Sequence, residues 1–155
     1  MSLILAIAEY LRDGDYPQGE EHWALVATSP DSPLVEVFQI AGNIDTYYYD
    51  TKSANILASR SLCGGVAIGE IPPENVESLK THLATAVTIV HGDPQWNCQR
   101  WIIEVVRELR DHRDMVTISP HFSEQGVREA LWKARDDWEA GGEHFFETLI
   151  SPHDD

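Results

Sequence analysis

A cysteine becomes a nucleophile when its thiolate is stabilised and an imidazole takes its proton. The chain holds two cysteines, Cys63 and Cys98, and seven histidines: His22, His82, His91, His112, His121, His144 and His153. Cys98 stands in the stretch DPQWNCQRWIIEVV, Asp93 to Val106. Asp93, Pro94 and Asn97 favour a turn and an N-cap. The residues after them predict a helix, so Cys98 falls in its first turn. Unpaired backbone N–H groups and the helix dipole favour a thiolate there. Cys63 precedes Gly64-Gly65 with no helix start behind it, and reads as structural.

The base and its orienting group come from the first half of the chain. His22 opens a β-prone run, HWALVAT, after a Gly-containing acidic loop, so its ring can stand at a sheet edge facing a helix N-terminus. Gln39 lies among apolar residues of the next run, LVEVFQI, and needs a hydrogen-bond partner if it faces the core. It could hold the His22 ring by accepting from it or donating to it. Cys98, His22 and Gln39 thus form a possible triad of nucleophile, base and orienting residue. The competing reading makes Cys98 a small buried hydrophobe, His22 a surface or capping residue and Gln39 a solvated amide.

These residues need elements to position them. Ser2 to Ala8 is an apolar run that reads as a first strand or short helix, followed by the loop DGDYPQGE, Asp13 to Glu20. His22 to Thr28 and Leu34 to Ile40 read as a hairpin across the five-residue link SPDSP. TYYY, Thr46 to Tyr49, is β-rich, and Gly64 to Ile71 is a further strand. The second half turns helical. Pro73 to Leu83 carries Val76, Leu79 and Leu83 on one face. Thr88 to Val90 reads as a short strand or the end of that helix. Asn97 to about Arg110 carries the stripe Trp101, Ile102, Val105, Val106 and Leu109. Ser123 to Phe146 reads as one long helix weakened at Gly141-Gly142. The expected class is α+β: a small, mostly antiparallel sheet packed against helices, in one domain over residues 1–150 with a frayed tail at 151–155.

Composition narrows the function. The chain has 155 residues and 43% hydrophobic content, which suits one domain with one core. It has 26 acidic and 11 basic residues, a net charge of −15. That argues against a nucleic-acid partner and against anionic membrane surfaces. Two cysteines make no disulfide framework, and no Cys or His spacing suggests a structural zinc site. The N-terminal apolar run is too short to cross a bilayer and lacks a basic lead. No phosphate loop or dinucleotide fingerprint is present. The expectation is a cytoplasmic protein without metal or cofactor.

HWALVA, then LVEVFQIAGN, then far downstream WNCQRWIIEVVREL resemble the circularly permuted papain-like cysteine enzymes, which include the lecithin:retinol acyltransferase-like proteins and relatives of the NlpC-type peptidases. In those families a His-aromatic pair opens a strand, a polar residue follows on the next strand, and an Asn-Cys pair opens a helix. Ordinary papain-like enzymes place Cys before His; here His22 precedes Cys98, the permuted order. The chain is also similar to a group of uncharacterised fungal proteins sharing the Cys-Gln-x-Trp-aliphatic helix. The resemblance spans roughly Glu21 to Phe146. It implies a permuted papain-like domain with Cys98 as nucleophile, His22 as base and Gln39 as orienting group. Two positions depart from the acyltransferases: their third member is often a second His, and an acidic-aromatic run follows their Cys where this chain has Gln99-Arg100.

Two functional readings follow. One is a thiol hydrolase or acyltransferase acting on an amide, ester or thioester of a small-molecule or peptide acyl substrate. The backbone N–H of Cys98 would stabilise the oxyanion, with Gln95 or Asn97 as further candidates. Trp23, Trp96, Asn97 and Trp101 flank the catalytic positions and would bind substrate, although aromatics at such spacing are commonly core. The other reading is a non-catalytic binding or pathway-helper protein on the same fold. His91-Gly92-Asp93 reads mainly as turn chemistry. Asp136, Asp137 and Glu139 read as a solvated helix face. Tyr47, Tyr48 and Tyr49 are either an edge strand or a pocket rim.

Overall fold

The computed structural model describes residues 2–12 and 20–150. Most of the loop expected at Asp13 to Glu20, and the tail at 151–155, lie outside the described residues. The fold is α+β, with one six-stranded antiparallel sheet in the order β4-β3-β2-β1-β5-β6. The strands are β1 (Leu3–Tyr10), β2 (His22–Ser29), β3 (Ser32–Ala41), β4 (Tyr48–Asn55), β5 (Leu62–Ile71) and β6 (Thr117–Ile118). The helices are α1 (Val76–Ala86), α2 (Cys98–Leu109), α3 (Glu124–Glu139) and α4 (Phe145–Leu149).

Strand parity sorts the core into two layers. Leu5, Ile7, Leu25, Phe38 and Ile40 face one side, where α1, α2 and α3 deliver Leu79, Leu83, Trp101, Ile102, Val105, Val106, Leu109, Val127 and Leu131. Ala6, Ala8, Ala24, Val26, Val35 and Val37 face the other side, where Ile56, Phe146 and Ile150 pack. Two glycines of β5 show both layers at once. A Cβ at Gly64 would stand 3.0 Å from Ala134 of α3, and one at Gly65 would stand 2.5 Å from the Phe146 ring of α4. The amphipathic stripe of α2 is fully buried, as its periodicity predicts.

Several boundaries differ from the expectation. The β2–β3 link is not SPDSP but the two residues between Ser29 and Ser32, which pair with each other. The β-rich piece at Thr46 to Tyr49 begins only at Tyr48 and runs on to Asn55. Its polar run, DTKSAN, hides it because β4 is an edge strand and largely open to water. Thr88 to Val90 is neither strand nor helix: α1 ends at Ala86, and Ile89 and Val90 pack on the core as coil. The helix expected from Ser123 to Phe146 is two helices. Gly141 takes φ +92°, which stops α3, and the His144 ring caps the short α4 by accepting from the Glu147 N–H at 3.2 Å. The two-residue β6 is too short to leave a pattern.

Candidate active site

Cys98 is the first residue of α2, and the Asn97 side chain caps that helix by accepting from the Arg100 N–H at 3.1 Å. The helix lies on the first face of the sheet. His22 and Gln39 share strand parity with the second face. They meet Cys98 where the sheet opens. The β2–β3 ladder ends at Leu25↔Phe38, whereas β3 stays paired to β4 as far as Ala41↔Tyr48. Beyond that ladder the backbone N–H of Trp23 donates to the Cys98 sulfur, and the His22 ring hydrogen-bonds the same sulfur.

The orientation of the imidazole follows from a chain of donors. Gln39 donates from Nε2 to Asp50 Oδ2 at 3.1 Å, and Asp50 is its register partner on β4. The carboxylate fixes the amide, so Gln39 Oε1 points at His22 Nε2, 2.9 Å away. A carbonyl oxygen only accepts. His22 Nε2 therefore carries a proton in either charge state, and Nδ1 is the nitrogen left to exchange a proton with Cys98.

The electrostatics agree. Burial alone would raise the Cys98 thiol, but the hydrogen bond and attraction to His22, the Trp23 amide and Arg12 outweigh it and hold the thiol below its ordinary value. Burial alone would lower His22, but Cys98 and then Gln39 pull it above its ordinary value against the repulsion of Arg12. The pair favours thiolate and imidazolium. Arg12 Nη2 lies 3.4 Å from the sulfur.

The group opens on a cavity of about 570 Å³. Tyr10, Arg12, His22, Gln39, Tyr47, Lys52, Ser59, Ser61 and Cys98 line it, with apolar floor from Val37 and Ile56. Among the described residues, Arg12 and Lys52 are its charged lining residues besides His22, and no carboxylate lines it. That contrasts with a chain carrying 26 acidic and 11 basic residues.

The expected substrate-binding residues fall differently. Trp23 points to the face opposite His22 because strand neighbours alternate. It is buried, donates to Glu9 Oε2 at 3.3 Å and lies under the Arg128 guanidinium. Trp101 sits one turn after Cys98, fully buried against the Tyr49 ring. Neither lines the cavity, so both are core residues and not substrate walls. Trp96 and Asn97 line a smaller adjoining cavity of about 160 Å³ together with Arg12 and Tyr47. Gln95 is exposed, with its backbone N–H turned to Asp93. His91 bonds the Tyr47 carbonyl oxygen at 2.7 Å and serves the loop. The three tyrosines divide: Tyr47 lines the cavity, Tyr48 is exposed on the edge strand, and Tyr49 donates to the Lys80 carbonyl at 2.9 Å.

Cys63 is buried on β5 beside Glu9, where burial and that carboxyl push its thiol up to about 12. That environment disfavours a thiolate at Cys63. Asp136, Asp137 and Glu139 are exposed, and Asp137 and Glu139 pair with Lys133 and Arg135 one turn earlier.

Three residues of the site escaped the sequence reading. Asp50 lies in the polar run of β4 and gives no signal of its own. Arg12 follows β1 at the mouth of the loop. Gln99 had a signal, its place directly after Cys98, but looked like a departure from the family pattern. It is buried, donates to the Glu21 carbonyl at 2.8 Å and accepts from Arg128 at 2.8 Å. It thereby ties the start of α2 to the residue before His22. Arg135 holds the Glu21 carboxylate at 2.6 Å, so α3 braces the same junction.

No curated protein and no solved structure matches the chain. One family profile matches residues 7–115, a span that contains Arg12, His22, Gln39, Asp50 and Cys98 and ends before α3. The chain belongs to DUF6540, a family of unknown function.

Proposed function

We propose that the protein is a thiol-dependent hydrolase or acyltransferase of permuted papain-like type, acting on an amide, ester or thioester through Cys98 and His22. The observation that carries this reading is the contact between the Cys98 sulfur and the His22 ring at the wall of the cavity, with the thiol drawn down and the imidazole drawn up. A buried cysteine with no such imidazole partner shows the opposite shift, as Cys63 does beside Glu9.

The chemistry runs in two halves. The Cys98 thiolate attacks the carbonyl carbon, and the C=O electron pair moves onto oxygen. The Cys98 backbone N–H, which has no intrahelical partner in the first turn, and the Arg12 guanidinium are the candidate donors for that oxyanion. Collapse expels the leaving group, which takes the proton from His22 Nδ1 and leaves an acyl thioester on Cys98. Neutral His22 then deprotonates water or an acceptor amine, which attacks the thioester and returns the thiolate and imidazolium. Gln39, backed by Asp50, keeps the ring turned throughout. Arg12 and Lys52, the charged groups among the described lining residues besides His22, favour substrates with a carboxylate or another anionic group near the scissile bond.

The test is a panel of activated esters, thioesters and small peptides, with and without a carboxylate, followed by mass detection of an acyl-Cys98 adduct. Cys98→Ser and His22→Ala should both abolish turnover. Equal processing by wild type and Cys98→Ser would overturn the covalent mechanism, and no turnover or adduct with wild type on any substrate would leave the non-catalytic binding role on the same fold.

A further inference from the structure

A second cluster of chemistry-bearing side chains lies outside the cavity, where α1 meets the C-terminal end of α2. His82 comes from α1, Glu108 from the last turn of α2, and His112 from the turn after it. Glu108 and His112 are four residues apart, one helical turn, while His82 reaches across from the neighbouring helix. His82 Nε2 lies 2.7 and 2.8 Å from the two Glu108 oxygens, and His112 Nε2 lies 3.0 Å from Oε1 of the same carboxylate. The two imidazole rings stand 4.5 Å apart. Among the described residues this is the one group of three His, Cys, Asp or Glu ligand atoms that lie within 4.8 Å of one another.

We propose that His82, Glu108 and His112 form a binding site for a divalent transition-metal ion, with Zn²⁺ the best match. Two imidazoles and one carboxylate are borderline-to-hard N and O donors, a set suited to Zn²⁺ with a fourth position left for water or a further ligand. Tetrahedral geometry with metal–ligand distances of about 2.0–2.1 Å places donor atoms about 3.3–3.4 Å apart. The His–Glu contacts are shorter, so an ion needs each of these pair distances to lengthen by about 0.3–0.7 Å. Their side chains are 27%, 26% and 40% exposed for His82, Glu108 and His112, so they have room to move and the ion has a path in. Binding replaces each Nε2–H···O contact by an Nε2–metal bond, and the ring proton then sits on Nδ1. The position adds a favourable field. The C-terminal end of α2 carries the negative end of the helix dipole, and the whole chain is strongly acidic. No residue of this cluster lines the 570 Å³ cavity, so the proposal stands independently of the thiol chemistry. A bound ion would clip α1 to α2.

The test uses the tag-free 155-residue chain carrying Cys98→Ser, which removes the cavity-lining thiol as a rival ligand. Zn²⁺ or Co²⁺ alone is the probe, read by titration calorimetry, by the Co²⁺ visible spectrum and by the melting temperature. One ion should bind per chain and raise the melting temperature. The Co²⁺ spectrum should be that of a tetrahedral nitrogen and oxygen site without sulfur. His82→Ala and Glu108→Gln should each lower affinity by more than the ten- to hundredfold that loss of an outer-shell group costs. They should also remove the thermal shift. His112→Ala lies beyond the helix end and keeps the fold, so its loss of binding decides the matter if His82→Ala does not fold. The proposal fails if no stoichiometric ion is taken up, leaving the cluster an ion pair only, or if His112→Ala binds as tightly as its parent.

Discussion

His22 Nε2 faces Gln39 Oε1 at 2.9 Å, and Gln39 in turn donates to Asp50. Gln39 is neutral, yet it relays a carboxylate: Asp50 holds the amide so that its oxygen, and not its nitrogen, meets the ring. In the proposed triad, the third member is thus a Gln39–Asp50 pair.

That relay makes Asp50 a positioning residue. Asp50→Ala should slow acyl-enzyme formation by a few-fold to about tenfold, as expected for one hydrogen bond. Gln39→Ala should cost more, and Cys98→Ser or His22→Ala should abolish the step. The measurement is single-turnover formation of the Cys98 thioester. If Asp50→Ala matches wild type while Gln39→Ala does not, the amide is oriented without the carboxylate.

The lowered Cys98 and raised His22 predict a thiolate that persists well below the ordinary thiol pKa of about 8.5. Alkylation of Cys98 by iodoacetamide, followed against pH, should therefore show its inflection on the acid side of that value. In His22→Ala the inflection should move up, because burial remains and the main opposing interactions are gone. An unchanged profile would mean that His22 does not stabilise the thiolate.

Glu9 supplies a stability prediction. Burial first, and then repulsion from Glu21, raise its carboxyl to about 7 against the pull of Trp23, Cys63 and Arg135. A carboxyl raised on folding binds its proton more tightly in the folded state. Stability is therefore lost as pH rises from the unfolded value, about 4.3, through about 7. Glu9→Gln keeps a partner for the Trp23 indole and removes that loss. Its advantage over wild type in urea melts should be small at pH 5 and reach roughly 2–3 kcal/mol at pH 8. A constant difference across that range would show that Arg135 compensates the charge.

Ile102 lies fully buried under the sheet beside Trp101 and Val106. Ile102→Ala should destabilise the fold by about 2–5 kcal/mol. Chemical denaturation gives the value directly, and a cost below 1 kcal/mol would mean that the α2 face repacks freely.

Elements with a strong period were legible from residues alone. The α2 stripe, its Asn97 cap and the placing of Cys98 in the first turn follow from local sequence, because helix periodicity and capping are properties of neighbours. The same holds for His22 at a strand start and for Gln39 as a polar residue between the buried Phe38 and Ile40. What the residues could not reveal is who stands beside whom across the sheet. Asp50 joined the site only through the β3–β4 register, and β4 was obscured because an edge strand needs no apolar pattern. Trp23 and Trp101 left the site for the core because adjacent strand residues face opposite ways and one helical turn carries a side chain back onto the sheet. Gln99 and Arg12 acquired meaning only from the tertiary contacts of Glu21 and the Cys98 sulfur. His82 was separated by 26 residues from the carboxylate it touches. Local sequence sets which groups can donate, accept or attack. Long-range packing chooses their partners, since a hydrogen bond or ion pair spans a few ångströms of space and any distance along the chain.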